Sequence, residues 1–248
     1  MIRTFIINLT RNPERKVFMQ QQLNSLGIPH EFIDATDGKN LTEKDIEKIY
    51  NKEHSLRYLN TPLRKSEIGC AHSHARIYRK IVEENIDYAF ILEDDIVLDK
   101  RILEILTPKA LRKEAFDWLQ INYTPVGFAF FVEWMRASLH YAKKRPHSIL
   151  YTTLKLPYIT LLCLYEGVRE KMLYNGPQIV NFSRPLYLAG AYIITQEGAK
   201  KLLPLCEPIC FAADMLPNKA RILSSFTMRG VSPLLAQQET KAFTSNMV

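Results

Sequence analysis

Short apolar runs alternate along this chain with segments that keep helical spacing. Residues 5–9, Phe-Ile-Ile-Asn-Leu, read as a first strand. Asn12-Pro13 opens a helix, with Asn as N-cap and Pro at the first helical position. Phe18, Met19, Leu23 and Leu26 form its apolar face and Gly27 stops it. Residues 31–35 read as a second strand, closed by the turn Asp37-Gly38. This order needs a crossover, normally right-handed, and so predicts a parallel pair. Thr42 caps a short helix to about Tyr50, residues 54–64 read as polar loop, and Ser66 opens a helix carrying Ala71, Ala75, Tyr78 and Val82. Residues 88–92, 118–122 and 186–194 read as further strands. Thr195 then caps a helix through Leu203.

Residues 125–184 are aromatic and basic and resist this parsing. A helix over about 127–142 is expected, with the remainder an acceptor-side variable region. There is no internal repeat and no low-complexity linker, so one domain over 1–248 is expected. The class is α/β, a mostly parallel Rossmann-like sheet flanked by helices.

The strand at 88–92 ends in Glu93-Asp94-Asp95. Ligands of parallel sheets gather at the carboxyl ends of strands, where these acids sit. Extended backbone would put Glu93 and Asp95 on one face and Asp94 on the other. Two like charges ~6–7 Å apart repel by roughly 2.5 kcal/mol at an effective dielectric near 20. A divalent cation removes that cost. The plain alternative is a solvated acidic turn.

Composition adds limits. Hydrophobic residues are 47% and charged residues 24%, an ordinary globular balance. The net charge of +7 favours anionic partners: nucleotides, phosphorylated glycans, anionic lipid or nucleic acid. No nucleic-acid-binding signature accompanies it, which argues against that partner. Cys70, Cys163, Cys206 and Cys210 form no CxxC pair and read as free thiols of a reducing compartment. The apolar run at the N-terminus is too short for a signal peptide, and no uncharged stretch is long enough to span a bilayer.

Four blocks in order resemble glycosyltransferase family 25, the lipopolysaccharide and lipooligosaccharide galactosyltransferase group with procollagen galactosyltransferase relatives. They are Ile7-Asn8-Leu9 with Arg11 and Arg15; Glu67-Ile68-Gly69-Cys70-Ala71-His72-Ser73-His74; Ile91-Leu92-Glu93-Asp94-Asp95; and Gly190-Ala191-Tyr192-Ile193-Ile194 with residues 198–203. The resemblance spans residue 2 to about 216 and is weakest over 120–185. It implies an A-type nucleotide-sugar glycosyltransferase fold, a UDP-sugar donor and Mn²⁺ or another divalent cation. It assigns Asp95 to the metal, with Glu93 as a second acid near metal or donor and Asp94 on the donor side. Carboxylate oxygens suit a hard ion, which neutralises charge on the departing diphosphate.

On the donor side the resemblance places Asn8, Leu9, Arg11, Arg15, Gly69, Ser73, His74 and Gly190. Guanidinium groups at a helix N-terminus suit phosphate, although Arg15 also fits a solvated helix face. Gly69 permits close approach of its helix. His72 and His74 face different sides and cannot chelate one ion as an i,i+4 pair would. His74 also fits a hydrogen-bonded core histidine. Inverting transfer needs a base, and Asp214 lies where the family carries a Pro-x-Asp segment, although here Pro208 stands six residues upstream. Asp214 is a base, a donor-sugar contact or an N-cap, and the sequence leaves the three open.

The expectation is a hexosyltransferase moving galactose from UDP-galactose, with inversion, to a lipooligosaccharide or other cell-surface glycan. The protein is then cytoplasmic, with basic and aromatic residues over 128–165 resting on the anionic inner face of the membrane. The rival is a non-catalytic glycan-binding or adhesion relative on the same fold.

Overall fold

The computed structural model describes residues 2–126, 128–144, 148–172, 176–182 and 184–239. In chain order the first half contains β1 (Arg3–Asn8), α1 (Pro13–Ser25), β2 (Glu31–Asp34), a 3-10 turn (Gly38–Asn40), α2 (Glu43–Ile49), α3 (Lys52–Leu59), α4 (Lys65–Glu83), β3 (Tyr88–Glu93) and β4 (Ile96–Leu98). Next come α5 (Ile102–Ile105), α6 (Pro108–Leu111), β5 (Trp118–Gln120), α7 (Phe128–Lys144), α8 (Ser148–Met172), β6 (Gln178–Val180) and β7 (Ala191–Thr195). The rest is α9 (Gln196–Cys206), α10 (Leu216–Leu223), β8 (Met228–Ser232) and β9 (Ala236–Gln238).

Seven strands form one sheet in the order β2-β1-β3-β7-β5-β8-β6. β2, β1, β3, β5 and β8 share a direction, whereas β7 and β6 run against it. This is the expected α/β Rossmann-like sheet, mostly parallel. β1 and β3 lack polar alternation because both of their faces are covered. Phe5, Ile7, Ala89 and Ile91 pack in one core with Tyr78 and Ile81 of α4. Ile6, Phe90 and Leu92 pack in the other with Met19 and Leu23 of α1. Trp118 and Tyr192 stack at 3.6 Å between centroids, joining β5 to β7. Each large side chain buried this way contributes about 1.5–3 kcal/mol.

The caps at Thr42 and Thr195 form as the sequence predicts, accepting from the amides of Asp45 and Gly198. Three elements differ from expectation. Residues 54–64 are not all loop: α3 runs to Leu59, started by Asn51, which accepts from the His54 amide, and closed by Asn60 at φ +59. The strand expected over 186–194 begins only at Ala191. Leu188 sits at φ +80, and its carbonyl and that of Leu186 accept from Gln120 and Asn218 instead of a ladder partner. Residues 148–172 form one long helix, α8, hairpinned on α7.

Inside that hairpin Phe130, Phe131 and Trp134 meet Ile159, Leu162 and Cys163. Buried Glu166 accepts from Arg184 at 2.9 and 3.0 Å, and Arg184 also donates to the Thr124 carbonyl, tying the hairpin to the segment that follows β5. Gly127, the expected start of α7, and Arg145 lie outside the described residues.

Candidate functional site

The aligned carboxyl ends of β1, β2 and β3 open into one cleft. The register pairs Asn8 with Asp34 and Ile7 with Glu93, so the strands end level. Its walls are Ile7, Leu9, Arg11 and Arg15, the turn at 35–39, Ser66, Cys70 and Ser73 of α4, the acids Glu93, Asp94 and Asp95, and Gln238 of β9.

The acids do not divide as extended backbone would dictate. β3 ends at Glu93 and the chain turns at residues 94 and 95. That turn sends Asp94 and Asp95 the same way, onto Arg15, whose Nη1 donates to Asp94 Oδ1 at 2.8 Å and Asp95 Oδ2 at 3.0 Å. Glu93 goes instead to α4, where its Oε1 lies 3.5 Å from His74 Nε2. Arg15 is only 4% exposed, so it is not a solvated helix-face residue, although it still lines the cleft. The repulsion that the sequence assigns to a cation is met in part by this guanidinium.

One guanidinium against two carboxylates still leaves an excess negative charge in a dry place. Burial pushes the Asp94 carboxyl up, and Arg15 and Asn8 pull it only part of the way back. Burial also pushes Asp95 up, and the nearby Glu93 charge adds to it. Burial pulls Arg15 down, but its bonds to Asp94 and the charge of both aspartates outweigh that and hold it above its ordinary value. Asp94 has both oxygens engaged, Oδ2 accepting from Asn8 at 2.8 Å. Asp95 Oδ2 accepts from Gln238 at 2.9 Å, and its backbone carbonyl accepts from the Glu239 amide at 2.7 Å. Asp95 Oδ1 is buried and makes no hydrogen bond among the described residues.

The expected donor-side residues sort into two groups. Leu9, Arg11 and Ser73 line the cleft with Arg15 and the acids. Arg11 donates to Asp37 at 2.7 Å, and the Asp37 carboxyl also accepts from the Lys39 amide, which places two basic residues on the rim. Asn8, Gly69, His74 and Gly190 lie behind the wall and shape it. Asn8 holds Asp94. Gly69 lets α4 meet the turn after β2, since a Cβ there would stand 2.6 Å from the Thr36 carbonyl oxygen. Ser73 accepts from the Thr36 amide at 2.8 Å and donates to the Gly69 carbonyl at 2.7 Å, so its hydroxyl fixes that same turn. The Gly190 carbonyl accepts from the Glu93 amide at 2.8 Å, and a Cβ would collide with Ile96 at 2.6 Å.

His74 is a core residue by burial, 1% exposed, with Nδ1 2.7 Å from the Tyr192 hydroxyl. Thr36 holds His72 on the other side of the helix, at 2.8 Å from its Nδ1. Asp214 stands in the turn before α10 and outside the cleft wall. Burial raises its carboxyl, backbone amides of Asp214 and Met215 oppose that, and the charges of Glu93 and Glu67 raise it further. Sequence reasoning missed Cys70, Tyr192 and Gln238. The Cys70–His74 spacing of four was a readable signal; nothing in the sequence links Gln238 to Asp95.

The profile of glycosyltransferase family 25 (LPS biosynthesis protein) matches residues 1–217. A glycosyltransferase 25 family member from Anopheles gambiae is 35% identical over 233 residues, which is 87% of this chain and 32% of that protein. Procollagen galactosyltransferase 1 of Danio rerio is 33% identical over 120 residues, 46% of this chain and 20% of that protein. Another family member, from Aedes aegypti, is 29% identical over 163 residues, 56% of this chain and 27% of its own length. The chain therefore spans about a third or less of these relatives.

Proposed function

The chain belongs to glycosyltransferase family 25, and from that premise we propose that it moves galactose from UDP-galactose to a hydroxyl of a lipooligosaccharide or other cell-surface glycan, with inversion. The observation that carries this reading is the buried, unpartnered Oδ1 of Asp95 at the cleft wall, with Glu93 close by. Those donors fit a hard divalent cation such as Mn²⁺, which Asp95 and Glu93 would hold beside a diphosphate. When bound, the cation offsets charge building on the leaving diphosphate. Arg11 and Lys39 at the rim add positive charge toward the same group.

In this reading the acceptor oxygen attacks the anomeric carbon as the bond to UDP breaks, and the acceptor proton passes to a carboxylate. Asp214 is the proposed base, because burial and its acidic neighbours raise its proton affinity. Arg15 and Asn8 orient the acids. The test is UDP release across UDP-galactose, UDP-glucose and their N-acetyl forms, with Mn²⁺ and with chelator. Release should be largest with UDP-galactose and disappear with chelator. No release from any of these donors would favour a non-catalytic glycan-binding relative.

The acceptor side is proposed to be α7 and α8, resting on the anionic cytoplasmic face of the inner membrane. Leu150, Leu154, Tyr158, Leu161 and Leu164 are exposed along α8, at 68%, 71%, 53%, 68% and 59%. The span 128–172 carries seven basic residues against three acidic ones. No helix among the described residues is long and apolar enough to cross a membrane. An apolar helix face within a basic segment is suited to lie in a headgroup layer. The protein should float with phosphatidylglycerol vesicles at low salt, less with phosphatidylcholine ones, and the double variant Leu154→Glu, Leu161→Glu should stay behind. Equal behaviour of variant and parent would dismiss this surface.

A further inference from the structure

Cys70 and His74 stand one helical turn apart on α4, and both reach toward Glu93 of β3. We propose that Cys70, His74 and Glu93 form a binding site for a thiophilic divalent cation of the zinc class. Its sulfur, nitrogen and oxygen donors differ from the oxygen donors at Asp95. The three ligand atoms lie within 4.8 Å of one another. His74 Nε2 is 3.5 Å and Cys70 Sγ 3.9 Å from Glu93 Oε1. Zinc bond lengths of about 2.0–2.1 Å to nitrogen or oxygen and about 2.3 Å to sulfur give tetrahedral edges of roughly 3.3 and 3.5 Å. The two edges to Glu93 are thus within a few tenths of an ångström of those values, and the Cys70–His74 edge lies within 4.8 Å.

A second observation points to a ligand there. His74 Nε2 is buried, makes no hydrogen bond among the described residues and lies toward Glu93. Its ring is held from behind: Nδ1 meets the Tyr192 hydroxyl at 2.7 Å, and that hydroxyl meets Tyr78 at 3.1 Å. An outer hydrogen bond of this kind orients metal-ligating histidines. Cys70 and Glu93 also line the cleft, which gives an ion an entry path and leaves a fourth position for water. Burial, and after it the charges of Glu93 and Asp214, push the Cys70 thiol up, so binding a cation there must displace its proton.

Glu93 is shared with the proposed Mn²⁺ and donor site, so zinc bound here withdraws it and slows transfer. That consequence rests on the proposed function; binding itself does not. The test is Co²⁺ titration of the metal-free full chain. A thiolate-to-cobalt charge-transfer band and tetrahedral d–d bands should saturate at one equivalent and vanish when Zn²⁺ is added. Cys70→Ser should remove the charge-transfer band and weaken Zn²⁺ binding at least about tenfold; His74→Gln, its folding checked by thermal melt, should weaken it similarly. Absence of the band in the parent, or its persistence in Cys70→Ser, overturns the site. Mn²⁺-supported UDP release should be inhibited by Zn²⁺ in the parent and resist it about tenfold better in Cys70→Ser, each relative to its own rate. A bound site with zinc-indifferent turnover overturns the competition for Glu93 alone.

Discussion

Asp95→Asn is expected to lower kcat/KM for UDP release by about two to three orders of magnitude, equivalent to about 3–4 kcal/mol of transition-state stabilisation. The same change should leave the melting temperature equal or higher. Both halves follow from one geometry. Asp95 Oδ1 is the buried oxygen of the acid turn with no hydrogen bond among the described residues, so it is the atom available to a cation. Oδ2 is spent on Arg15 and Gln238. An amide keeps the shape of the group and removes its charge. Arg15 is then matched by Asp94 alone, and the uncompensated negative charge disappears. Activity measured beside a thermal melt separates the outcomes. Parent-like turnover would remove Asp95 from the chemistry, and a collapse of both readouts would make it a structural residue.

Arg15→Met should act in the opposite direction on stability. It leaves Asp94 and Asp95 buried without their cation, and breaking a buried ion pair from one side costs about 3–5 kcal/mol. For a chain of this size that lowers the melting temperature by on the order of 10 °C. The pH dependence has a definite sign. Folding already raises both aspartates, so the stability tied to their protonated forms is full below the ordinary carboxylate range and is lost as pH rises through the raised values. Removing Arg15 raises them further. The deficit of the variant should therefore be greatest at neutral pH and shrink as the solution is acidified. Melts of both proteins across that range check it, and a deficit independent of pH would mean that lost packing, not charge, is responsible.

Much of the sheet was readable because β1 and β3 are covered on both faces and therefore lack polar alternation. The end of β3 was readable for the same reason: three acids follow an apolar run. Their division was not readable, because it depends on where extended backbone stops. Continued by two residues, β3 would carry Asp94 away from Asp95; a turn after Glu93 brings them together. Arg15 gave no local sign of burial, since its partners lie 79 and 80 residues away. α3 was read as loop on its polarity, although Lys, Glu, Leu and Arg are good helix formers and Asn51 supplies the cap. At 186–190 apolar content suggested a strand, but side chains of Gln120 and Asn218 take the carbonyls that a ladder needs.

The acid turn is gripped from distant stretches of sequence, by Arg15 on one side and by Gln238 of β9 and the Glu239 that follows it on the other. β9 pairs with β4, just past the acids, and it lies beyond the residues that match the family. This imposes an order on biosynthesis. A ribosome delivers Arg15 and the acids long before residue 238, and nascent chains fold from their N-terminal side at about 5–20 residues per second. For roughly ten seconds or more the emerging polypeptide holds both aspartates against one arginine, with the strand that covers Asp95 still untranslated. The centre becomes whole only when that strand docks, so the growing chain carries its acids before it has a finished site.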